Sequence, residues 1–485
     1  MTSMESALTD EQIISTLDEY RYDWKDEDVA GRSVKRGLNE TVVRRISASK
    51  KEPEWMLKRR LRGYELFRSA KDPDFGPFAD KTLADFDYNN FKYYVAPLGD
   101  GISGSDSTSS WEDLPENIRS TYERLGIPDA EKKRLVAGVA AQYESEVVYK
   151  SIREDLAKQG VVFVDTETGM RDHEELFREH FGSVVPDDDN KLASLNLAVW
   201  SGGSFVYIPR GVKVEIPLQA YFRMNTQNLG QFERTLIIAD EDSDVHYIEG
   251  CTAPIYSENS LHSGVVEIVV KKNAKVRYST IQNWSTNVFN LVTQRALVHE
   301  GARMEWVDAN IGSRVTCKYP ACVLLGECAC AETLSIALAG SEQMQDSGAK
   351  MIHLAPDTHS SIVSKSVSRN GGRTSYRGLV KVKKGASGSS STVVCDALLV
   401  DNVSRTDTYP HNVVEEEDVL QGHEATVSKI NDDQLFYLMS RGINEQEAMA
   451  MIVRGFIEPI AKELPMEYAL ELNRLIMLQM ENSVG

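Results

Sequence analysis

The sequence predicts a mainly β protein in which a β-helix lies between two helical regions. From about residue 193 of the 485-residue chain onward, apolar and polar residues alternate, and β-branched and aromatic residues dominate, as in half-buried strands. The same part of the chain contains an internal repeat, whereas both ends carry signals for the start of helices. These observations together predict the fold class.

The internal repeat consists of apolar–polar–apolar triplets that each follow a small or turn-forming residue. They recur at intervals of 31, 31 and 28 residues: Val214-Glu215-Ile216, Val245-His246-Tyr247, Val276-Arg277-Tyr278 and Met304-Glu305-Trp306. Intervals of this length without a long helical segment predict coils that stack, so that each turn covers its neighbour's apolar face. A β-sandwich would also contain alternating strands, but its turn signals would not recur in phase.

The first predicted region, residues 1–160, is mainly helical. Thr9 and Gln12 form a capping box, and Pro53 begins a basic amphipathic helix. The positive charges of that helix predict a solvated face, with docking of a partner as the alternative. The Gly- and Ser-rich segment 99–110 is predicted to be a flexible loop.

The β-helix core is predicted over residues 161–430, and a second helical region over residues 431–485. Asn444 with Glu447 begins one of its helices, and the last helix carries an apolar stripe. Because the last coil of a solenoid needs a cap, we expect these helices to cover it. We expect them also to leave a face for a partner.

The composition limits the classes of protein to which the chain can belong. The chain has 54 basic and 73 acidic residues, a net charge of −19, which argues against a nucleic-acid-binding surface. No export signal is visible at the N-terminus, and no uncharged apolar run approaches the roughly 18 residues that span a bilayer. Six cysteines are too few for a disulfide framework. These features predict a cytoplasmic protein with reduced thiols that binds neither nucleic acid nor membrane.

Motifs of the common self-sufficient enzymes are missing. The segment Gly371–Ser375 lacks the lysine and the spacing of a phosphate-binding loop. No Rossmann fingerprint, His-Glu-x-x-His or Gly-x-Ser-x-Gly motif is present. The sequence therefore predicts that the chain is not an enzyme, and that any ATP hydrolysis belongs to a partner.

One candidate site combines Cys395 with His423 and Glu424. Cys395 ends a predicted strand, and the His-Glu pair follows about 28 residues later, which is close to one coil of the repeat. This spacing could stack a thiolate, an imidazole and a carboxylate on adjacent turns. Such a mixed set suits iron in a labile site better than structural zinc. In the alternative, Cys395 packs in the core and His423 caps a turn.

A second candidate is Cys251, a lone thiol at the end of an alternating strand, near Arg223, Asn225 and several carboxylates. The polar surroundings favour a sulfur that takes part in chemistry, although unpaired cysteines are common core residues.

A third candidate is a cysteine quartet: Cys317, Cys322, Cys328 and Cys330. Of these, only Cys328 and Cys330 have the i, i+2 spacing that points two strand residues to one face. A metal site formed by the quartet is therefore the weaker alternative.

The stretch around Cys251 resembles the SufBD family of iron–sulfur cluster assembly proteins. The resemblance extends over about residues 51–485 and includes the phrases Cys395-Asp396, His423-Glu424-Ala425 and Asp433-Gln434-Leu435-Phe436-Tyr437. It implies a right-handed parallel β-helix and a scaffold in the SUF system. Such a scaffold accepts sulfur from a cysteine desulfurase or its sulfur shuttle, assembles a nascent iron–sulfur cluster and hands it to apo-proteins.

The resemblance also implies the partners and cofactors of the scaffold. ATP hydrolysis belongs to a SufC-type ABC ATPase, which we expect to dock on residues 431–485. A SufD-type homologue or a second copy of this chain is the expected pairing subunit. The nascent iron–sulfur cluster is bound transiently, and the resemblance admits a reduced flavin as a further cofactor.

Residue roles follow from the same resemblance. Cys251 is the expected sulfur acceptor, and the sulfur path is lined by Arg223, Asn225, Gln282 and Trp284. Cys395 and Glu424 are the expected metal ligands of the nascent cluster, and His423 is a ligand or its neighbour. Because a travelling persulfide is anionic, donors along its path are physically reasonable.

Two positions depart from the family pattern. Gly422 stands where the family can carry a second acid before the His-Glu pair. Gln294 stands where it can carry a lysine, so we expect transfer to be tuned differently or Arg295 to supply the charge.

Two other function classes remain open on the sequence. Parallel β-helices commonly house polysaccharide lyases and hydrolases, but these are usually exported and line a groove with several carboxylates or basic residues. A passive metal-storage or structural solenoid built on the cysteine quartet is the other alternative.

Overall fold

A computed structural model describes residues 36–80, 82–95, 108–116, 118–120, 137–224, 228–252, 259–463 and 476. The predicted capping box at Thr9, most of the loop at 99–110 and most of the last predicted helix lie outside the described residues. Within them, no helix is long and apolar enough to cross a membrane.

The first of two sheets has ten strands, all parallel to their neighbours except the antiparallel pair β1–β2. Their spatial order is β2-β1-β5-β8-β11-β13-β16-β19-β21-β23. The bounds are β1 Gly138–Tyr143, β2 Glu146–Ile152, β5 Lys213–Arg223, β8 Asp244–Thr252, β11 Lys275–Trp284, β13 Arg303–Gly312, β16 Cys330–Ala339, β19 His359–Ser368, β21 Ser389–Leu399 and β23 Val419–Lys429.

The second sheet has thirteen strands, and several of its coils are split into two short pieces. Only the pair β3–β4 is antiparallel. The bounds are β3 Val162–Asp165, β4 Ser204–Ile208, β6 Gly230–Gln231, β7 Arg234–Ala239, β9 Ser260–His262, β10 Val265–Val270, β12 Val288–Val298, β14 Val315–Lys318, β15 Ala321–Leu324, β17 Met344–Ser347, β18 Lys350–His353, β20 Arg373–Val382 and β22 Arg405–Val414.

The two sheets form a parallel β-solenoid of about 7 turns, which confirms the predicted coil architecture. The triplets stack as their spacing predicts: Val245, Val276 and Met304 lie opposite one another on β8, β11 and β13. The first triplet joins the stack only partly, because the register shifts after Val214 and places Leu218 opposite Tyr247.

Helices lie around the solenoid and confirm that the fold is mainly β with helical regions at both ends. Their bounds are α1 Glu40–Ser49, α2 Glu54–Ser69, α3 Glu154–Lys158, α4 Thr166–Asp172, α5 Glu174–His180, α6 Lys191–Val199, α7 Asp432–Ser440 and α8 Glu445–Ala461, with short 3₁₀ helices at Gly76–Phe78, Tyr88–Asn90 and Trp111–Asp113. Pro53 precedes α2, and Asn444 caps α8 by accepting from the Glu447 backbone N–H. The division at residues 160 and 430 stays a prediction.

The N-terminal helices cover the outer face of the second sheet. Val43 and Ile46 of α1 share an apolar cluster with Phe289 and Leu291 of β12. This burial follows from strand alternation, since Phe289 and Leu291 point away from the interior. The second sheet is therefore buried on both of its faces in this part.

The C-terminal helix α8 packs against the side of the first sheet. Its residues Val453 and Ile457 share an apolar cluster with Ile336 and Leu338, which point outward from β16. The last predicted helix, which carries the apolar stripe, lies mostly outside the described residues, so the expected cap of the last coil stays a prediction. Among the described residues, α8 buries its apolar side chains on the face of the first sheet, and strands β22 and β23 are largely exposed.

Candidate functional site

A buried thiol and a buried carboxyl group lie in the solenoid interior on β8, the fourth strand in the order of the first sheet. Cys251 and Glu249 are two residues apart on β8, so both point inward. The Cys251 thiol donates to Glu249 Oε1 at 3.5 Å, and the Tyr278 hydroxyl donates to Glu249 Oε2 at 2.5 Å. Cys251 is 0% exposed. The sulfur thus has a carboxyl neighbour and no direct exposure to water.

Burial controls how these groups ionise. It raises the pKa of the Cys251 thiol far above its usual range, and the adjacent Glu249 carboxylate adds to this. Burial also raises the pKa of Glu249 to about 7; the nearby Glu233 carboxylate acts in the same direction, and the Tyr278 hydroxyl opposes it. The pair therefore holds a protonated thiol beside a carboxyl group that titrates near neutral pH.

A second set of buried polar side chains faces the same space from the opposite sheet. His262 Nε2 lies 2.6 Å from Glu233 Oε1, and its Nδ1 lies 2.7 Å from Asn290 Oδ1. Burial alone would lower the pKa of His262, but Glu233 outweighs burial and the pKa is raised. Asn290 in turn donates to Gln282 Oε1 at 2.6 Å.

Of the predicted sulfur-path residues, Gln282 and Trp284 lie on the same side of the first sheet as Cys251, whereas Arg223 pairs with Thr252 and points to the outer face. Gln282 lies opposite Cys251 on β11, and the Trp284 ring lies 4.6 Å from the His262 ring. Gln282 Nε2 and Trp284 Nε1 are buried donors without a hydrogen-bond partner among the described residues. The Arg223 guanidinium donates to the Thr252 hydroxyl at 3.3 Å. Asn225 lies outside the described residues.

A column of buried side chains connects this region with Cys395. Adjacent parallel strands pair residue by residue through the series Glu249, Thr280, Asp308, Ser335, Ser364 and Cys395. Paired residues of parallel strands point to the same side of a sheet. All six side chains therefore point into the interior, where all six are buried. They form a continuous polar column, which we call the interior column.

A charged pair crosses the interior column at its middle. Lys318, from the second sheet, lies 3.0 Å from Asp308, and both side chains are almost fully buried.

Arg295 contributes no charge to the interior, because its side chain binds Asp189 and the Val184 carbonyl on the outer face. Gln294 points inward and is buried. The prediction that Arg295 supplies a positive charge in place of the family lysine is therefore wrong for the solenoid interior.

At the other end of the interior column, Cys395 lies beside an imidazole. Its Sγ is 3.8 Å from His423 Nε2 on the next strand, β23. Burial raises the pKa of the Cys395 thiol to about 12, the Tyr376 hydroxyl opposes this, and Asp396 adds to it. The predicted stacking of this thiol and imidazole on adjacent coils is confirmed.

Two models of known protein families match the sequence of this chain. Residues 222–456 match the family model for the SUF system FeS cluster assembly SufBD core domain, and residues 135–220 match the SufBD protein N-terminal region. The chain belongs to the SufBD family of the SUF iron–sulfur cluster assembly system.

Relatives agree with this assignment over nearly the full length. The iron–sulfur cluster assembly protein SufB of Bacillus subtilis is 55% identical over 97% of this chain and 98% of its own length. SufBD family proteins of Staphylococcus epidermidis and Staphylococcus haemolyticus are each 56% identical over 96% of this chain and 98% of their own length.

In this SufBD-family chain, Glu424 is not brought to the Cys395 thiol. Ala425 pairs with Cys395, whereas Glu424 pairs with Val394 and therefore points to the outer face. Its side chain is exposed. Adjacent residues of a strand point to opposite sides, so the sequence order His423-Glu424 already contained this signal. Its role as a cluster ligand stays a prediction.

The cysteine quartet is divided among three environments. Cys317 faces the N-terminal helices, and Cys322 points inward and accepts from the Trp306 indole N–H at 3.2 Å. Cys328 is exposed at a corner with φ of 60°, and Cys330 is half-buried beside it. Among the described residues, no group of three or more His, Cys, Asp and Glu side chains is placed to hold a metal ion.

Sequence reasoning assigned no role to several buried charged residues of the interior, among them Glu249, His262, Asp308 and Lys318. Their signal is a charged residue at an inward position of an apolar strand. Glu249 carries this signal most clearly, since it lies two residues before Cys251.

Proposed function

We propose that the chain is a scaffold that accepts sulfur at Cys251 and assembles a nascent iron–sulfur cluster at Cys395 for transfer to apo-proteins. The interior column carries this proposal, because it joins the two thiols through buried polar side chains only. A packed apolar core would have no reason to keep such a row. Reduced thiols require a reducing compartment, so we place this activity in the cytoplasm.

Sulfur would arrive as a persulfide from a cysteine desulfurase or its sulfur shuttle. The unpartnered donors Gln282 Nε2 and Trp284 Nε1 support this step, since an anionic sulfur species needs N–H groups along its way. Arg223 and Asn225 are proposed for the same path. Lys318 adds a buried cation farther along the interior.

The cluster is the cargo of the scaffold, and Cys395 is its proposed primary ligand. His423 is proposed as the second ligand, since its Nε2 already lies 3.8 Å from the thiol. Glu424 is proposed to join only when the last strand rearranges, because its side chain points to the other face. Delivered sulfane sulfur needs two electrons to become sulfide, and a reduced flavin is the proposed source.

Two surfaces support the proposed partners. A SufC-type ABC ATPase would dock on α7, where Phe436 is 74% exposed and Tyr437 is 56% exposed. A SufD-type homologue or a second copy of this chain would pair with β23, which ends the first sheet next to the strand of Cys395. ATP-driven motion of the attached ATPases would then open this pairing and expose the cluster site.

Blocking the interior column tests the proposal. A persulfide donor with isotopically labelled sulfur is added to the full chain, and mass spectrometry follows the label at Cys251 and Cys395 with time. Ser364→Val fills the column beside Cys395 and should stop the label at Cys251. Ser361→Val, on the outward side of the same strand, is the matched control. Label that first appears at Cys322, or reaches Cys395 equally fast in both variants, would refute the proposed route.

A further inference from the structure

A buried thiol is a poor nucleophile unless a neighbouring group takes its proton. Cys251 has no exposure to solvent, and burial raises its pKa far above neutral. Only the thiolate attacks a persulfide at a useful rate. Sulfur uptake at Cys251 therefore requires a proton acceptor inside the solenoid, and hydroxide from bulk water cannot serve as one.

We propose that Glu249 is the catalytic base that activates Cys251 for sulfur uptake, an inference that rests on the proposed function. Its Oε1 is the acceptor of the thiol hydrogen bond at 3.5 Å. Its other oxygen is held by the Tyr278 hydroxyl at 2.5 Å, which leaves Oε1 directed at the sulfur. Tyr278 is accordingly a positioning residue.

The proposed step balances without an oxidant or reductant. Glu249 takes the thiol proton, and the Cys251 thiolate attacks the outer sulfur of a donor persulfide, R–S–SH. The S–S bond of the donor breaks while a new S–S bond forms at Cys251. The leaving thiolate R–S⁻ then takes the proton from Glu249, so that the products are a Cys251 persulfide and R–SH.

The surroundings give this carboxyl group a pKa suited to the task. Burial raises the pKa of Glu249 to about 7, with Glu233 as the next contribution, so the carboxylate is half-formed near neutral pH and can both accept and return a proton. The groups that face it come from both sides of the interior: Tyr247 and Cys251 on β8, Tyr278 on β11, His262 and Lys318 on the opposite sheet, and Glu233 between β6 and β7 of that sheet.

The test is the pH profile of single-turnover sulfur transfer from cysteine persulfide to the full chain. Transfer is read as persulfide on the Cys251 peptide by mass spectrometry. In the wild type the rate should rise through about pH 7 and then level off, because Glu249 must be ionised. Glu249→Gln should be slower at neutral pH by roughly 10²-fold and should lack the plateau, because only the raised pKa of the thiol then governs the rate.

Two further variants separate a base from a structural residue. Glu249→Asp keeps a carboxylate but shortens it, so it should be slower yet keep a plateau. Glu233→Gln removes a charge that raises the pKa of Glu249, so the rise should move to lower pH. Thermal unfolding of each variant checks the fold. If Glu249→Gln does not fold, the pH profile of Glu233→Gln tests the inference by itself. A Glu233→Gln profile that rises at the same pH as the wild-type profile would overturn it.

The outcomes distinguish this inference from the function on which it rests. If wild-type Cys251 never gains sulfur, the proposed acceptor role fails and the base fails with it. If Cys251 gains sulfur and Glu249→Gln keeps the wild-type rate and profile, only the catalytic base is overturned.

Discussion

Cys251 and Cys395 point into the same interior from one parallel sheet and are separated by five strand-to-strand steps, along β8, β11, β13, β16, β19 and β21. At about 4.8 Å per step, the two strands are about 24 Å apart. The two thiols therefore cannot exchange sulfur by direct contact. We expect any transfer between them to use the groups of the interior column.

Removal of the Cys395 thiol should abolish most of the cluster absorbance. We expect this because thiolate is the strongest iron ligand in that part of the interior. Anaerobic reconstitution with iron and sulfide, followed by absorption spectroscopy, measures the effect in Cys395→Ala. Cys322→Ala is the matched control, since Cys322 is also a buried inward thiol but lies beside Trp306. Equal losses in both variants would contradict the assignment.

In the isolated chain, loss of the His423 side chain should affect a reconstituted cluster more than loss of the Glu424 side chain. His423→Ala should shorten the lifetime of a reconstituted cluster, because Nε2 lies 3.8 Å from Cys395 Sγ. Glu424→Ala should have little effect there, because its carboxylate is on the outer face, and should dim the cluster only in the assembled complex. The measurement is the decay of the cluster absorbance after a metal chelator is added in the absence of oxygen. A strong Glu424→Ala effect in the isolated chain would show that the carboxylate reaches the thiol side.

The Tyr376 hydroxyl should assist ionisation of Cys395. It lowers the pKa of a thiol that burial raises to about 12. Tyr376→Phe removes that contribution, so the pKa should rise and less thiolate should form at any given pH. The midpoint of Cys395 alkylation against pH should therefore move upward, while Tyr409→Phe, an exposed tyrosine of β22, leaves it in place. A midpoint that stays or falls in Tyr376→Phe would refute this role.

The α7 helix should bind the ATPase through its exposed apolar side chains. Phe436→Glu should weaken co-purification with a SufC-type ATPase and leave the thermal unfolding of the chain unchanged, because Phe436 is 74% exposed. A point variant is sharper than truncation after Ile430, which would also uncover the apolar face beneath α8. Val403→Glu, an equally exposed site on the β21–β22 turn, is the control. Undiminished binding by Phe436→Glu would remove α7 from the interface.

Access to Cys395 should depend on ATP in the assembled complex. Cys395 is 5% exposed in the isolated chain and lies one strand from the end of its sheet. Pairing at β23 would bury it further until ATPase motion opens the contact. Alkylation of Cys395 should therefore be slow without ATP and faster with it. Equal and fast labelling under both conditions would mean that this thiol is not gated by the partner.

The stacking of coils was predictable because it depends on a local pattern. Val276 and Met304 lie opposite each other as their 28-residue spacing predicts. The same period predicted that Cys395 and His423 would be neighbours, and they are. The register of Val276 and Met304 follows directly from counting, whereas His423 pairs with Val393 and so lies two residues from the position opposite Cys395.

Other features depend on packing that counting does not reveal. The position of α8 follows from the outward apolar residues Ile336 and Leu338, against which its own apolar side chains are buried. Arg295 points outward because Asp189 binds it there. Glu249 received no role from the sequence alone, because a carboxylate near a cysteine has no evident role until Tyr278 is placed beside it.

The exposed edge of strand β23 has a consequence for the behaviour of isolated chains. In the described part of the chain, β23 ends the order of its sheet, so one edge of its backbone N–H and C=O groups has no strand to pair with. Long edge strands with exposed apolar side chains such as Leu420 and Val427 recruit further strands, including those of identical chains. Isolated copies of the chain would therefore be prone to aggregate edge to edge, and any chain that pairs with β23 would also prevent this aggregation.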